Sequence, residues 1–247
     1  MISEERKNRI KELIERSRSR GIFTFTDFLS PTSISEIAET FKGEKFQECG
    51  GGDFCERKML RFGDENDFGY SQPFPLSIIQ VSLTGGKFTT PITHRDVLGA
   101  VLNLGIERQK LGDMFINGTF AYIIAHENVA KLILSDLSFI GRNKVTCQQI
   151  SSLPETLAPK KQEREISVSS NRIDSVICKT FNLNREDGGD LCKNGFVTIN
   201  GKVIEQAGRS LKPDEVVCVR GYGKFVFCKE EGKSKKGKTY IKVQVFC

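Results

Sequence analysis

The chain has 247 residues, 38% hydrophobic and 28% charged, with a net charge of +6; this length suits one large domain or two to three small ones. No apolar run approaches the roughly 18 residues of a membrane span, and the opening MISEERKNRIKELIERSRSRG is charged throughout, so neither a membrane partner nor a signal peptide is expected and the chain is read as cytoplasmic. Eight scattered cysteines without a CxxC, and only two histidines (His94 and His126), predict reduced thiols, with no metal site and no cofactor.

The positive charge is unevenly placed. Residues 160–247 hold 18 Lys and Arg against 11 Asp and Glu, a net of +7, whereas residues 1–159 hold 19 against 20, a net of −1. Such asymmetry fits either an electrostatic footprint for a polyanion or a solvated basic surface.

In chain order, residues 3–20 predict a charged helix with Ile10, Leu13 and Ile14 on one face, ended by Gly21. Ser30-Pro31 reads as a turn, and a second helix is expected from a Ser33 cap with Glu36 to near Gly43. Gly50-Gly51-Gly52 lacks the Gly-Lys-Ser/Thr of a phosphate loop and reads as a turn, before a short strand or bent segment over residues 56–62. Residues 1–72 thus form an N-terminal helical/mixed region.

Residues 73–152 are more regular. LSIIQVSLT predicts a strand, and residues 93–106 a helix capped by Thr93, with Val97/Val101 and Leu98/Leu102 at i, i+4. Two strands joined at Asn117-Gly118 follow, then a helix with Asn128 as its cap and the strand KVTCQQIS. The strand-helix-strand-strand-helix-strand order is that of a central ferredoxin-like, RNA-recognition-like βαββαβ domain. His94-Arg95-Asp96 has the letters of a kinase catalytic loop, but Val101 stands where that loop needs asparagine. Phe120 and Tyr122 alternate on one strand, placed either for base stacking or for packing; His94 and Arg95, at a helix N-terminus, are further candidate phosphate contacts.

LPETLAPKKQERE (153–165) reads as a linker. Beyond it, Ser169 or Ser170 is expected to cap a helix carrying Ile173, Val176, Ile177 and Phe181. A second helix runs from Arg185 to Lys193, followed by FVTIN, VVCVRG and TYIKVQVF as strands. Helix N-termini favour anions, and Arg172 and Arg185 lie in those first turns, where guanidinium forks grip phosphate. Lys193, Lys202, Arg220 and Lys224 extend the surface. Lys233, Lys235, Lys236 and Lys238 make a basic hairpin tip that either contacts RNA or is solvated. Arg172 could instead pair with Asp174.

Ser170-Asn171-Arg172-Ile173-Asp174, Asn184-Arg185, Leu191-Cys192-Lys193-Asn194-Gly195, Val197-Thr198-Ile199-Asn200 and Pro213-Asp214 resemble, in order, the RNA-binding domain named after ribosomal protein S-four. That resemblance implies an αα-β RNA-binding domain over residues 166–247, with Asn184 and Arg185 opening its second helix. Members commonly have serine at position 184 and alanine near Gly188-Gly189, so the second helix is expected to be weak here. FTDFLSP, GGDFCERKMLRF, THRDVLGAVLNLGIERQKLGDM and RGYGKF, in that order, are similar to the bacterial YlmH family over nearly the whole chain. This likeness implies an α+β protein that binds structured RNA (rRNA or tRNA) and associates with the large ribosomal subunit in rescue of stalled ribosomes. Two alternatives remain: an RNA-modifying enzyme that uses the last domain to hold substrate, and a cell-division-associated interaction protein. Oligomeric state is open.

Overall fold

The computed structural model describes residues 2–84, 86, 89–233 and 237–247. It is an α+β fold with seven α-helices and three antiparallel sheets among those residues. The chain divides into two compact units, Met1–Ser30 with Ile37–Ala158 and Pro31–Glu36 with Pro159–Cys247.

The first unit opens with α1 (Glu4–Arg20), whose ends suit its dipole. The Ser3 hydroxyl accepts from the Arg6 N–H, Glu4 and Glu5 lie in the first turn, and Arg18 and Arg20 lie in the last. Ile10, Leu13 and Ile14 form the buried face, joined by Ser17, and Gly21 closes the helix in the left-handed conformation at φ 60°. Helix α2 (Pro31–Thr40), which Pro31–Glu36 of the second unit opens and Ile37 of the first continues, starts two residues before the expected Ser33 cap. Its ring-fixed φ suits proline to the first helical position.

β1 (Thr24–Phe25), β2 (Phe46–Cys49) and β3 (Met59–Phe62) form a small sheet in the order β1-β3-β2. β3 is buried along its length, including Arg61 at 4% exposure. The Arg61 guanidinium donates to the Gln72 carbonyl, the Gln47 side chain and Glu65, and lies 4.6 Å above the Phe23 ring. Glu65 opens the one-turn helix α3 (Glu65–Phe68), which Asp64 caps. The triple glycine is a close-packed turn. A Cβ at Gly50 would stand 2.7 Å from the Arg57 carbonyl oxygen, and Gly51, at φ 89°, lies against Ile124.

A second sheet is built from β4 (Leu76–Leu83), β5 (Leu111–Asn117), β6 (Phe120–His126), β7 (Phe139–Ile140) and β8 (Asn143–Ile150), in the order β5-β6-β4-β8-β7. α4 (His94–Leu102) follows β4 and α5 (Glu127–Asp136) follows β6. The strand-helix-strand-strand-helix-strand succession expected from periodicity is present, with short β7 added. Val97 and Val101 of α4 and Ala130 and Ile133 of α5 pack with Ile79, Val81, Ala121 and Ile123. Ile78 and Ile124, out of phase with those strand residues, pack with Phe28, Cys55 and Met59. α5 is capped by His126, not Asn128: the imidazole Nδ1 accepts from the Asn128 N–H at 3.1 Å.

The second unit contains a six-stranded sheet. Its members are β9 (Lys161–Val168), β10 (Val197–Ile199), β11 (Lys202–Val203), β12 (Glu215–Val219), β13 (Gly223–Lys233) and β14 (Thr239–Phe246), in the order β11-β10-β12-β13-β14-β9. Two helices, α6 (Ile173–Phe181) and α7 (Arg185–Lys193), share a core with it. Ile173, Val176, Ile177 and Cys192 pack with Val217, Phe225, Phe227, Ile241 and Val243. Residues 161–165, expected within a linker, are the first half of β9, which pairs with β14 from Lys161↔Phe246 to Val168↔Thr239. Their side chains are exposed, so the segment looks polar although its backbone pairs with β14 as the edge strand of the sheet.

Candidate nucleic-acid interface

Arg172 is the extended residue before α6, and it is the helix cap in place of Ser169 or Ser170. Ile173 N–H bonds to the Arg209 carbonyl at 2.8 Å, tying the helix start to the loop before β12. The Arg172 side chain forks onto Asp174, Nη2 to Oδ2 at 2.6 Å and Nε to Oδ1 at 3.2 Å, and is 48% exposed. The hydrogen bond and charge of Asp174 raise the Arg172 pKa. Partial burial opposes ionisation of Asp174, but the Arg172 and Ser175 donors outweigh it and hold the carboxyl below its usual range. The pairing alternative for Arg172 is therefore realised, with the guanidinium still at the surface.

Asn184 and Arg185 open α7 and are both exposed. The Asp187 carboxylate accepts from the Asn184 N–H at 3.2 Å, and Glu186 lies in the same turn. The expectation of two open helix N-termini is thus corrected: α7 is closed by the Asn184–Asp187 capping box, and the first N–H groups of α6 go to the Arg209 and Ala207 carbonyls and to the Asp174 carboxylate. What remains for an anion is the guanidinium groups.

The other sequence-selected cations face outward to different degrees. Lys193 ends α7 and stands 3.6 Å from Asp190, with 74% of its side chain exposed. Lys202 on β11 is exposed. Arg220, just past β12, is exposed, and its guanidinium lies 5.6 Å from the Phe196 ring centroid. Lys224 is half-buried, with Nζ 4.2 Å from the centre of the Phe246 ring, which Lys161 also approaches at 5.1 Å. Arg209 belongs to the architecture: it forks onto buried Glu215 at 2.6 and 3.1 Å.

Sequence reasoning missed the aromatic residues among these cations. Phe196 and Tyr222 are exposed, and the Tyr222 ring lies 6.3 Å from Phe181. The signal was present in RGYGKF and KNGF, where an aromatic follows a basic residue within a glycine turn.

In the first unit the candidates divide. His94 and Arg95 are exposed in the first turn of α4, but that end is closed by a capping box in which Thr93 and Asp96 bond each other's N–H. Phe120 is 38% exposed; Tyr122, on the same face of β6, is only 5% exposed and so cannot stack on a base. Its burial gives Tyr122 the packing role. Lys235 and Lys236 lie outside the described residues. The eight cysteines are free thiols. Burial, then the charge of Asp113, pushes the Cys55 pKa up to about 12, and burial pushes Cys147 and Cys192 up to about 11, so these thiols stay protonated.

Residues 70–153 match a family model described as "Putative RNA-binding domain in YlmH". A protein of Bacillus subtilis (strain 168) named "Ribosome-associated protein quality control protein P2" is 30% identical over 226 residues, which cover 87% of this chain and 84% of the relative. The chain belongs to the YlmH family. A solved structure titled "Cell division protein ylmH from Streptococcus pneumoniae" is also similar to this YlmH-family chain. It has 24% identity and a TM-score of 0.45, covering 63% of this chain and 95% of that one. The family's RNA-binding match covers the sheet of β4 to β8, whereas the cation-rich surface derived above lies in the second unit, outside the matched residues.

Proposed function

We propose that this chain is a non-enzymatic RNA-binding factor that associates with the large ribosomal subunit through rRNA or tRNA and serves in rescue and quality control of stalled ribosomes. The observation that carries the reading is the exposed cation set of the second unit, Arg172, Arg185, Lys193, Lys202 and Arg220, in the part of the chain that holds all the excess positive charge. The name of the Bacillus relative and the description of the matched family model supply the ribosomal and RNA context. In this reading residues 73–152 are a ferredoxin-like domain, supported by the strand order β5-β6-β4-β8 with α4 and α5 as its two connections. The segment from 166 onward is an S-four-type domain in which Asn184 and Arg185 open the second helix, and residues 1–72 are an accompanying helical/mixed region. The site of action is cytoplasmic.

Phosphate recognition by cations releases counterions, so affinity should fall steeply with salt. The test is co-sedimentation with purified large ribosomal subunits across a salt series. Arg172→Glu with Arg185→Glu should weaken binding and flatten the salt slope by about one for each phosphate that is no longer neutralised. Sedimentation of that double variant at wild-type levels would remove the proposed surface. New modified nucleosides, found by mass analysis after incubation with rRNA or tRNA, would instead support the modifying-enzyme alternative.

A further inference from the structure

We propose that the turn between β12 and β13, with the segments that follow α6 and α7, forms a stacking platform for an unpaired RNA base, with Tyr222 and Phe196 as its rings. This rests on the RNA-binding reading and adds the feature recognised: a flat, unpaired base beside the phosphates.

Three segments converge there. Phe181 ends α6, Phe196 follows α7, and Arg220 and Tyr222 lie in the β12–β13 turn. The Arg220 N–H donates to the Phe196 carbonyl at 2.9 Å, and the Tyr222 N–H to the Val219 carbonyl at 3.0 Å. Gly223, at φ 131°, lets the turn approach the Phe181 ring, where a Cβ would come within 3.4 Å. Phe181 is in turn edge-on to Phe225, 5.9 Å away and fully buried, so the cluster is backed by the core.

The rings in front of that support are not buried. Tyr222 is 49% and Phe196 39% exposed, whereas Phe225 and Phe227 nearby in sequence are at most 1% exposed. Full burial of such a ring stabilises a fold by roughly 1.5–3 kcal/mol, so each of these half-exposed rings forgoes a large part of that gain. The Arg220 guanidinium lies 5.6 Å from the Phe196 ring centroid, and in sequence Lys193 stands three residues before Phe196 and Arg185 four after Phe181. An exposed ring with a guanidinium beside it matches a nucleotide, which offers a π-face and a phosphate together. An acidic peptide offers only the charge.

The chain contains no tryptophan, so Tyr222→Trp in the full chain is a single emission reporter that keeps a ring in place. Its probes are a hairpin RNA with an unpaired loop and a blunt duplex of equal length. The hairpin should quench the emission and the duplex should not. Tyr222→Ala with Phe196→Ala should weaken hairpin binding by roughly 10- to 100-fold and leave duplex binding unchanged. Arg172→Glu with Arg185→Glu should instead lower binding of both RNAs, which separates the platform from the phosphate surface. Unchanged hairpin binding by the alanine pair, equal loss on both RNAs, or equal quenching by polyglutamate would overturn the platform. If the wild-type chain binds neither RNA, the RNA-binding reading falls as well.

Discussion

Gly188 and Gly189, adjacent in α7, face different surroundings. A Cβ at Gly188 would run into the Cys178 sulfur and stand 2.8 Å from the Asp174 carbonyl oxygen, whereas none at Gly189 meets an atom within 4 Å. The glycine pair, read from sequence as a weakness of the helix, is at Gly188 the condition for α6 and α7 to approach. Gly188→Ala should therefore destabilise the second unit by about 1–3 kcal/mol through overpacking. Gly189→Ala should stabilise it by roughly 0.5–1 kcal/mol, because alanine loses less backbone entropy in a helix. Chemical denaturation of the two variants checks the opposite signs. Arg61 offers a second test at this scale. Its planar fork serves three acceptors and stacks near Phe23, so Arg61→Lys should cost on the order of 2 kcal/mol even though the charge is kept.

Helix capping decides the behaviour of α4 and α5. α4 carries a reciprocal Thr93–Asp96 box, so Thr93→Ala should destabilise the first unit by about 1 kcal/mol, read from its denaturation midpoint. α5 is capped by neutral His126, whose pKa is lowered by burial and then by Lys110. A depressed folded-state pKa means that this stabilisation is present above the ordinary value of 6.5 and is lost as pH falls through the lowered one. The melting temperature should accordingly drop as pH is taken below 6.5, and His126→Asn, which keeps a capping side chain without a titrating ring, should reduce that drop. A pH profile in which the variant matches the wild type would show that His126 does not couple to stability. The capping box of α4 was readable because Thr93 and Asp96 are three residues apart. The cap of α5 was not, because both His126 and Asn128 sit at that boundary and the end of β6 decides between them.

At the scale of the whole molecule, β9 opens the larger segment of the second unit, Pro159–Cys247. A fragment starting at Pro159 keeps the full β9–β14 ladder. One starting at Ile166 loses the pairs from Lys161↔Phe246 to Glu165↔Lys242. The shorter fragment should melt lower by at least roughly 5–10 °C in calorimetry, since a loss of 1 kcal/mol shifts a domain of this size by several degrees. Sequence alone determined the features encoded over a few residues: α1 with its buried Ile10, Leu13 and Ile14, the limits of α7, the strands β4 and β8, and the concentration of basic residues in the last third. It also carried the ordered motifs that mark the family. Only the tertiary structure decided that residues 161–165 are strand, that Tyr122 is buried while Tyr222 is exposed, and that Arg172 grips Asp174. The physical reason is reach. A helix repeats its pattern every three or four residues and announces itself locally, whereas β9 owes its structure to a strand some eighty residues away, and the exposure of a ring depends on what the rest of the chain places over it.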